Sequence, residues 1–218
     1  MNSSAPGPFA VRTHSFEARD AARDRLFPCD IWCPDEPGTW PLVLYSHHSR
    51  GSRRSATYLT AHLASHGYLV AALDHSEVVA PEVAGNVQAF IASRVPDARF
   101  LLDYMLAGVI PCTARPDPDR IAIVGHSFGG WTALALPETD TRIQAVVALA
   151  PGGASNPKPG IYPRHPQFQL AAPASHPLYR RRGRRSHSHR RHARALQPHA
   201  RAQTNGGPPP RRPSAFRG

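Results

Sequence analysis

Acidic residues run out early in this 218-residue chain: from Thr141 to Gly218 there is no Asp or Glu, against 14 Arg and one Lys. Residues 1–140 hold 11 basic and 15 acidic residues, a net of −4, so the overall charge of +11 belongs to the last third and not to the rest. Cysteine is scarce and odd in number. Cys29, Cys33 and Cys112 lack metal-site spacing, which favours reduced, structural thiols in a cytoplasmic protein as the expectation. No apolar run approaches the ~20 residues of a membrane span. The opening Met1-Asn2-Ser3-Ser4-Ala5-Pro6 has neither a basic n-region nor an apolar core, so no secretory signal is expected.

Globular composition extends over residues 1–160, short for a complete sheet-and-helix enzyme. Residues 161–218 are dominated by Pro, Arg, His, Ala and Gly, with too little apolar surface to offset the entropy of ordering them, and disorder is expected there. Arg180–Arg185 and Arg190-Arg191 could neutralise phosphates, which makes nonspecific nucleic-acid or polyanion binding the alternative function. The segment lacks the interleaved aromatics of a base-stacking surface, and a solvated tail is the preferred reading. His187, His189 and His192 have no acid or cysteine nearby to complete a metal site.

The informative stretch is Gly125-His126-Ser127-Phe128-Gly129-Gly130, after the apolar run Ile121–Val124 and before the helix-favouring Trp131–Leu136. Strand, sharp turn, helix with G-x-S-x-G on the turn is the setting of a nucleophile elbow. Gly125 and Gly129 allow the turn, Ser127 is pushed out in a strained conformation, and the helix N-terminus points at a developing anion. The plainer alternative is a glycine-rich turn whose serine caps the helix. The flanking pattern favours Ser127 as nucleophile.

Around it, Phe9–Phe16 and Arg25–Trp32 read as an antiparallel opening pair linked by the polar Ala18–Asp24 segment. Pro41–Tyr45, Tyr68–Leu73 and Ile143–Leu149 read as buried strands. Helices are expected over Ala56–Ser65 and Val87–Met105, the second broken at Pro96, followed by a turn at Arg115–Asp119. The fold class is α/β: a mostly parallel sheet with helices on both faces and chemistry at the C-terminal strand ends.

With these residues the chain resembles the α/β-hydrolase superfamily, most nearly the branch of bacterial dienelactone-hydrolase-like proteins and platelet-activating-factor acetylhydrolase-like esterases. Leu44–Ser52, Ala61–His75 and the elbow with its helix carry the resemblance, over roughly residues 9–160. It implies hydrolysis of a small acyl or acetyl ester through an acyl-enzyme on Ser127, without metal or organic cofactor. The oxyanion donors would be the backbone amides of Phe128 and Ser49, the latter because His47-His48-Ser49-Arg50-Gly51 aligns with a common His-Gly-x-x-Gly. His48 stands at the usual glycine and is expected to stiffen that loop. The implied partner is a small-molecule ester; the resemblance fixes no oligomeric state and no particular substrate.

A triad of this fold runs Ser, then Asp or Glu, then His. No carboxylate follows Asp140, which precedes the last strand and is expected at the wrong end of the sheet. Asp74 ends a strand on the correct face but is not promoted to the acid, and His47, His48 and His75 read as loop polarity and packing. His165, His176, His187, His189, His192 and His199 have no strand-and-loop setting. Acid and base are therefore not identifiable, and little or no turnover is expected. Without further strands the sheet would also end at an unprotected edge, which predicts poor solubility. Read from the second base of each codon, Arg becomes Val, Ala, Gly, Asp or Glu. Arg180–Arg185 then permits a strand ending in acids, and Pro208–Phe216 permits a segment carrying a histidine. A displaced reading frame beginning between Pro163 and Pro177 is the expectation.

Overall fold

The computed structural model describes residues 4–108 and 110–151; the basic tail, its histidines and the reading-frame expectation lie outside the described residues. A six-stranded sheet forms from β1 (Val11–Asp20), β2 (Arg25–Pro34), β3 (Gly38–Ser46), β4 (Leu69–Leu73), β5 (Ala114–His126) and β6 (Ala145–Leu149), in the order β1-β2-β4-β3-β5-β6. The first three strands in this spatial order pair antiparallel, and β4-β3-β5-β6 pair parallel. The helices are α1 (Thr57–Ser65), the short α2 (Ser76–Val79) and α3 (Pro81–Ala84), the long α4 (Val87–Leu106), and α5 (Phe128–Ala135).

Strand alternation sorts the core into two layers. Leu42 and Leu44 of β3, Leu69, Ala71 and Leu73 of β4, and Ile121 and Ile123 of β5 face Ala98, Leu101, Leu102 and Met105 of α4 and Ala133 of α5. The intervening Val43, Tyr45, Val70, Ala72 and Val124 face the other way, onto Ala64 with Leu59 and Leu63 of α1. Such two-sided burial requires near-continuous apolar strands, and all five residues of β4 are buried. Phe16 stacks on Tyr104 at 5.4 Å and Phe27 lies 5.3 Å from Phe100, so α4 also covers the β1–β2 hairpin. Beyond β5 only β6 remains among the described residues, and Val147 and Leu149 there are exposed.

Three expectations are corrected in detail. First, α4 runs unbroken through Pro96. The helix is held on either side of the proline by the buried Arg94 and Asp97, described below, which offsets the missing amide hydrogen bond. Second, Arg115–Asp119 is not a free turn. Gly38–Pro41 pairs with Ala114–Asp117, and Leu42 resumes at Ile121, so Pro118–Arg120 forms a bulge within β5. Third, β1 extends to Asp20, because the Asp20 carboxylate accepts from the amides of Ala22 and Arg23 at 3.0 and 3.3 Å and closes a tighter turn than the sequence suggested.

Asp30 of β2 is fully buried and accepts from Arg53 Nε at 3.0 Å and Arg54 Nε at 2.5 Å, tying the segment before α1 to the sheet. Without Asp30, Arg53 would keep Asp74 as its partner and Arg54, whose side chain is 57% exposed, would turn to solvent, so the loss is that of charged hydrogen bonds and not of a whole buried pair. Asp30→Ala is expected to lower the unfolding free energy by about 2 kcal/mol in urea denaturation, and an unchanged midpoint would show that these contacts contribute nothing net over solvation of the arginines.

Candidate active site

At the C-terminal end of β5 the chain reverses through Ser127, whose φ of 53° and ψ of −117° lie in a region few side-chain-bearing residues enter. The turn is that tight because strand and helix nearly touch. A Cβ on Gly125 would come within 1.9 Å of the Gly129 carbonyl oxygen, and one on Gly129 within 2.0 Å of the Ser46 carbonyl oxygen. The Ser127 amide donates to the Leu149 carbonyl of β6 at 2.9 Å, and its carbonyl accepts from Trp131 at 3.1 Å. Its side chain makes no helix-capping hydrogen bond, which sets aside the plainer alternative. Ser127 is half-buried, and among the described residues no group hydrogen-bonds to its hydroxyl.

Phe128 opens α5 with a buried ring stacked on Trp131 at 5.2 Å. Ser49 sits, exposed, at the corner of a turn in which the Gly51 amide donates to the His48 carbonyl at 3.0 Å. The left-handed residue of that turn is Arg50, with φ of 54°. His48 therefore does not occupy a conformation reserved for glycine. The loop lies beside the elbow, with the His48 and His126 rings 5.8 Å apart.

Beneath the loop lies a polar network that the sequence did not announce. Asp97, fully buried, accepts at Oδ1 from Ser76 Oγ (2.8 Å) and Arg23 Nη1 (2.6 Å), and at Oδ2 from the Ser76 amide (2.8 Å) and His75 Nδ1 (3.3 Å). Burial alone would raise its pKa, but the hydrogen bonds from His75 and Ser76 outweigh burial and hold the carboxyl below the usual range. His75 Nδ1 therefore carries the proton, and its Nε2 accepts from Ser46 Oγ at 2.8 Å. Ser46, His75 and Asp97 thus repeat the hydrogen-bond order of a catalytic triad. Ser46 and His75 are each only 2% exposed, so no ester reaches them and the set is structural. His47 Nε2 accepts from the His75 amide at 3.1 Å, while its Nδ1 donates to the His48 carbonyl at 2.7 Å.

Arg94, fully buried on α4, donates to the carbonyls of His47 at 2.7 Å and His48 at 3.2 Å and pairs with Glu77 of α2. Its guanidinium lies 4.8 Å from the centre of the Phe128 ring. Burial raises the Glu77 carboxyl, against the pull of Arg94. The signal in the sequence was present but subtle: Arg94 interrupts the apolar spacing Ile91, Ala98, Leu101, Leu102, Met105, a place where a charge must be paired.

The remaining candidates are committed elsewhere. Asp74 accepts from the Arg53 amide at 2.6 Å and Arg53 Nη1 at 2.5 Å. Asp140 is bound by Arg142 and stands before β6, at the opposite end of that strand from the elbow. Among the described residues no group of three or more His, Cys, Asp or Glu could hold a metal ion, and no helix is long and apolar enough to cross a membrane.

Strand order and the strand–turn–helix at Ser127 together mark the α/β-hydrolase fold. The same fold is seen in a ferulic acid esterase from Streptomyces cinnamoneus, at a TM-score of 0.58 and 24% identity, covering 66% of this chain and 60% of that one. The chain belongs to the chlorophyllase family, which it matches over residues 3–165. It is similar to cutinase est1 of Thermobifida alba, with 29% identity over 147 residues, 66% of this chain and 46% of the relative. It is also similar to chlorophyllase-1 of Arabidopsis thaliana, with 30% identity over 112 residues, 50% of this chain and 32% of the relative. The chain thus spans about half or less of the length of these curated relatives.

Both buried histidines are held neutral. Burial, then the charge of Arg94, pushes His75 down to about 4; burial and the neighbouring His75 push His47 down to about 2. The unfolded chain, with histidines near 6.5, binds the extra protons first, so stability is full above pH 6.5 and is lost as pH falls toward 4. Each histidine is expected to remove about 1.4 kcal/mol per pH unit across that window. Urea denaturation at pH 7.5 and 5.0 reads the slope, and His75→Gln should flatten it; an equally steep loss in the variant would assign the acid sensitivity elsewhere.

Proposed function

We propose that this chain carries the nucleophile half of a serine carboxylic ester hydrolase that acts on a small acyl or acetyl ester through an acyl-enzyme. The observation that carries the reading is Ser127, held at positive φ between two glycines that tolerate no Cβ, with its hydroxyl uncommitted among the described residues. Ser127 attacks the carbonyl carbon, and the oxyanion is received by the backbone amides of Phe128 and Ser49. Kinship with cutinases, chlorophyllases and a ferulic acid esterase supports an ester as substrate. The closer likeness to dienelactone-hydrolase-like and acetylhydrolase-like esterases rests on the three stretches of sequence alone. The three cysteines are free thiols, which supports a cytoplasmic setting. The polyanion-binding alternative rests on residues 161–218, outside the described residues, and no comparison favours it.

No Asp or Glu follows Asp140 to orient a proton acceptor for Ser127, and weak turnover is the expectation. A fluorophosphonate probe is expected to label Ser127 slowly, with labelling abolished in Ser127→Ala, while p-nitrophenyl acetate turnover stays near background. Equal labelling of the folded Ser127→Ala variant, or none of the folded parent, would overturn the reading. Resequencing the codons for Gly152 to Tyr179 tests the reading frame directly.

A further inference from the structure

We infer that Arg94 is a positioning residue for the oxyanion hole: from inside the fold it sets the direction in which the Ser49 amide points. The inference rests on the ester-hydrolase reading of Ser127 and deepens it.

The geometry follows from the planarity of one peptide unit. The His48 carbonyl and the Ser49 N–H belong to the same peptide, which is trans, so the two groups point in opposite directions. Whatever fixes the oxygen aims the hydrogen. That oxygen accepts three donors: His47 Nδ1 at 2.7 Å, the Gly51 amide at 3.0 Å and Arg94 Nη2 at 3.2 Å. The first two belong to the loop's own residues, the Gly51 amide moving with it and the His47 ring tied in turn to the His75 amide. Arg94 alone among them comes from another element, and its other terminal nitrogen holds the preceding carbonyl, that of His47, at 2.7 Å. The planar fork therefore spans two consecutive carbonyls and opposes a flip of the His48–Ser49 peptide, a task a single ammonium cannot perform.

The same guanidinium lies against the ring of Phe128, whose amide is the other oxyanion donor. Glu77 in turn pairs with Arg94 and neutralises a charge that is fully removed from water. One buried side chain thus touches Phe128 and the carbonyl end of the peptide whose N–H is that of Ser49, while leaving the reacting atoms alone. A donor aimed in advance costs no reorganisation when the negative charge develops, and losing one oxyanion donor typically slows an enzyme by about 10²–10³-fold.

The test uses the full chain with two variants. Arg94→Lys keeps the charge against Glu77, and Arg94→Met combined with Glu77→Gln removes both charges, so that neither variant leaves a lone buried ion. The first readout needs no catalysis: amide hydrogen exchange at Gly51, whose N–H shares the His48 oxygen. Exchange is expected to accelerate about tenfold or more in both variants while the Ser76 amide, bound to Asp97, keeps its protection; unchanged exchange at Gly51 would falsify the hold on the peptide. The second readout is the saturation kinetics of fluorophosphonate labelling at Ser127. The maximal rate constant is expected to fall about 10–100-fold with the half-saturating concentration unchanged, because an oxyanion donor acts on the transition state and not on the ground state. A fall in both constants together, or a matching loss of Ser76 protection, would reduce Arg94 to a purely structural residue and overturn the inference. Failure of the folded parent to label at all defeats the reading of Ser127 and the catalytic half of this inference, while the exchange result still decides whether Arg94 holds the peptide.

Discussion

A carboxylate buried without water must find donors, and the site end of this molecule is arranged around one that does. Asp97 draws its hydrogen bonds from Arg23 in the β1–β2 turn and from His75 and Ser76 at the exit of β4. Two segments distant in sequence are thereby fixed to α4 at one point. His75 extends the arrangement to Ser46 at the end of β3, and its amide holds the His47 ring. Since an unpaired buried charge costs several kcal/mol, none of these segments can drift without exposing that cost. The loop beside Ser127 inherits its shape from this requirement more than from its own sequence.

The placement of Ser127 has a different cause, namely the packing of backbone on backbone. Helix α5 approaches β3 and β5 so closely that glycine is the only residue that fits at 125 and 129. Ser127 is lifted into an unfavourable conformation as a result, and the strain is held by the hydrogen bond to Leu149 and the first turn of α5. Electrostatics below the loop and sterics at the elbow are separate devices, and they meet where Arg94 lies against Phe128.

Much of this was readable in the sequence because it depends on local pattern. The buried strands showed as apolar runs, α1 and α5 as helices, and the elbow as a motif in its proper setting. What was not readable depends on pairing across distance. Pro96 marked a break only as long as the ends of α4 were taken to be free; Arg94 and Asp97, anchored to other segments, carry the helix through. Arg115–Asp119 looked like a turn from its prolines, but a partner strand at Gly38–Pro41 turned it into a bulge. Of the candidate site residues, Ser127 was legible from its neighbours. Ser46 and Asp97 were not, because a buried polar side chain looks like a surface one until its partners are known, and Arg94 showed only as a charge set into an apolar stripe.

The glycines of the elbow lead to a point about how such a site decays. Substitution at 125 or 129 collides with main-chain atoms, so selection for folding alone preserves both positions whether or not any ester is ever cleaved. The Ser127 hydroxyl, with no hydrogen-bond partner among the described residues, enjoys no such protection. In a lineage that has stopped catalysing, the motif would persist as a skeleton with its serine replaced. The frame of G-x-S-x-G is thus a fossil of packing, and its middle residue is the part that dates the chemistry.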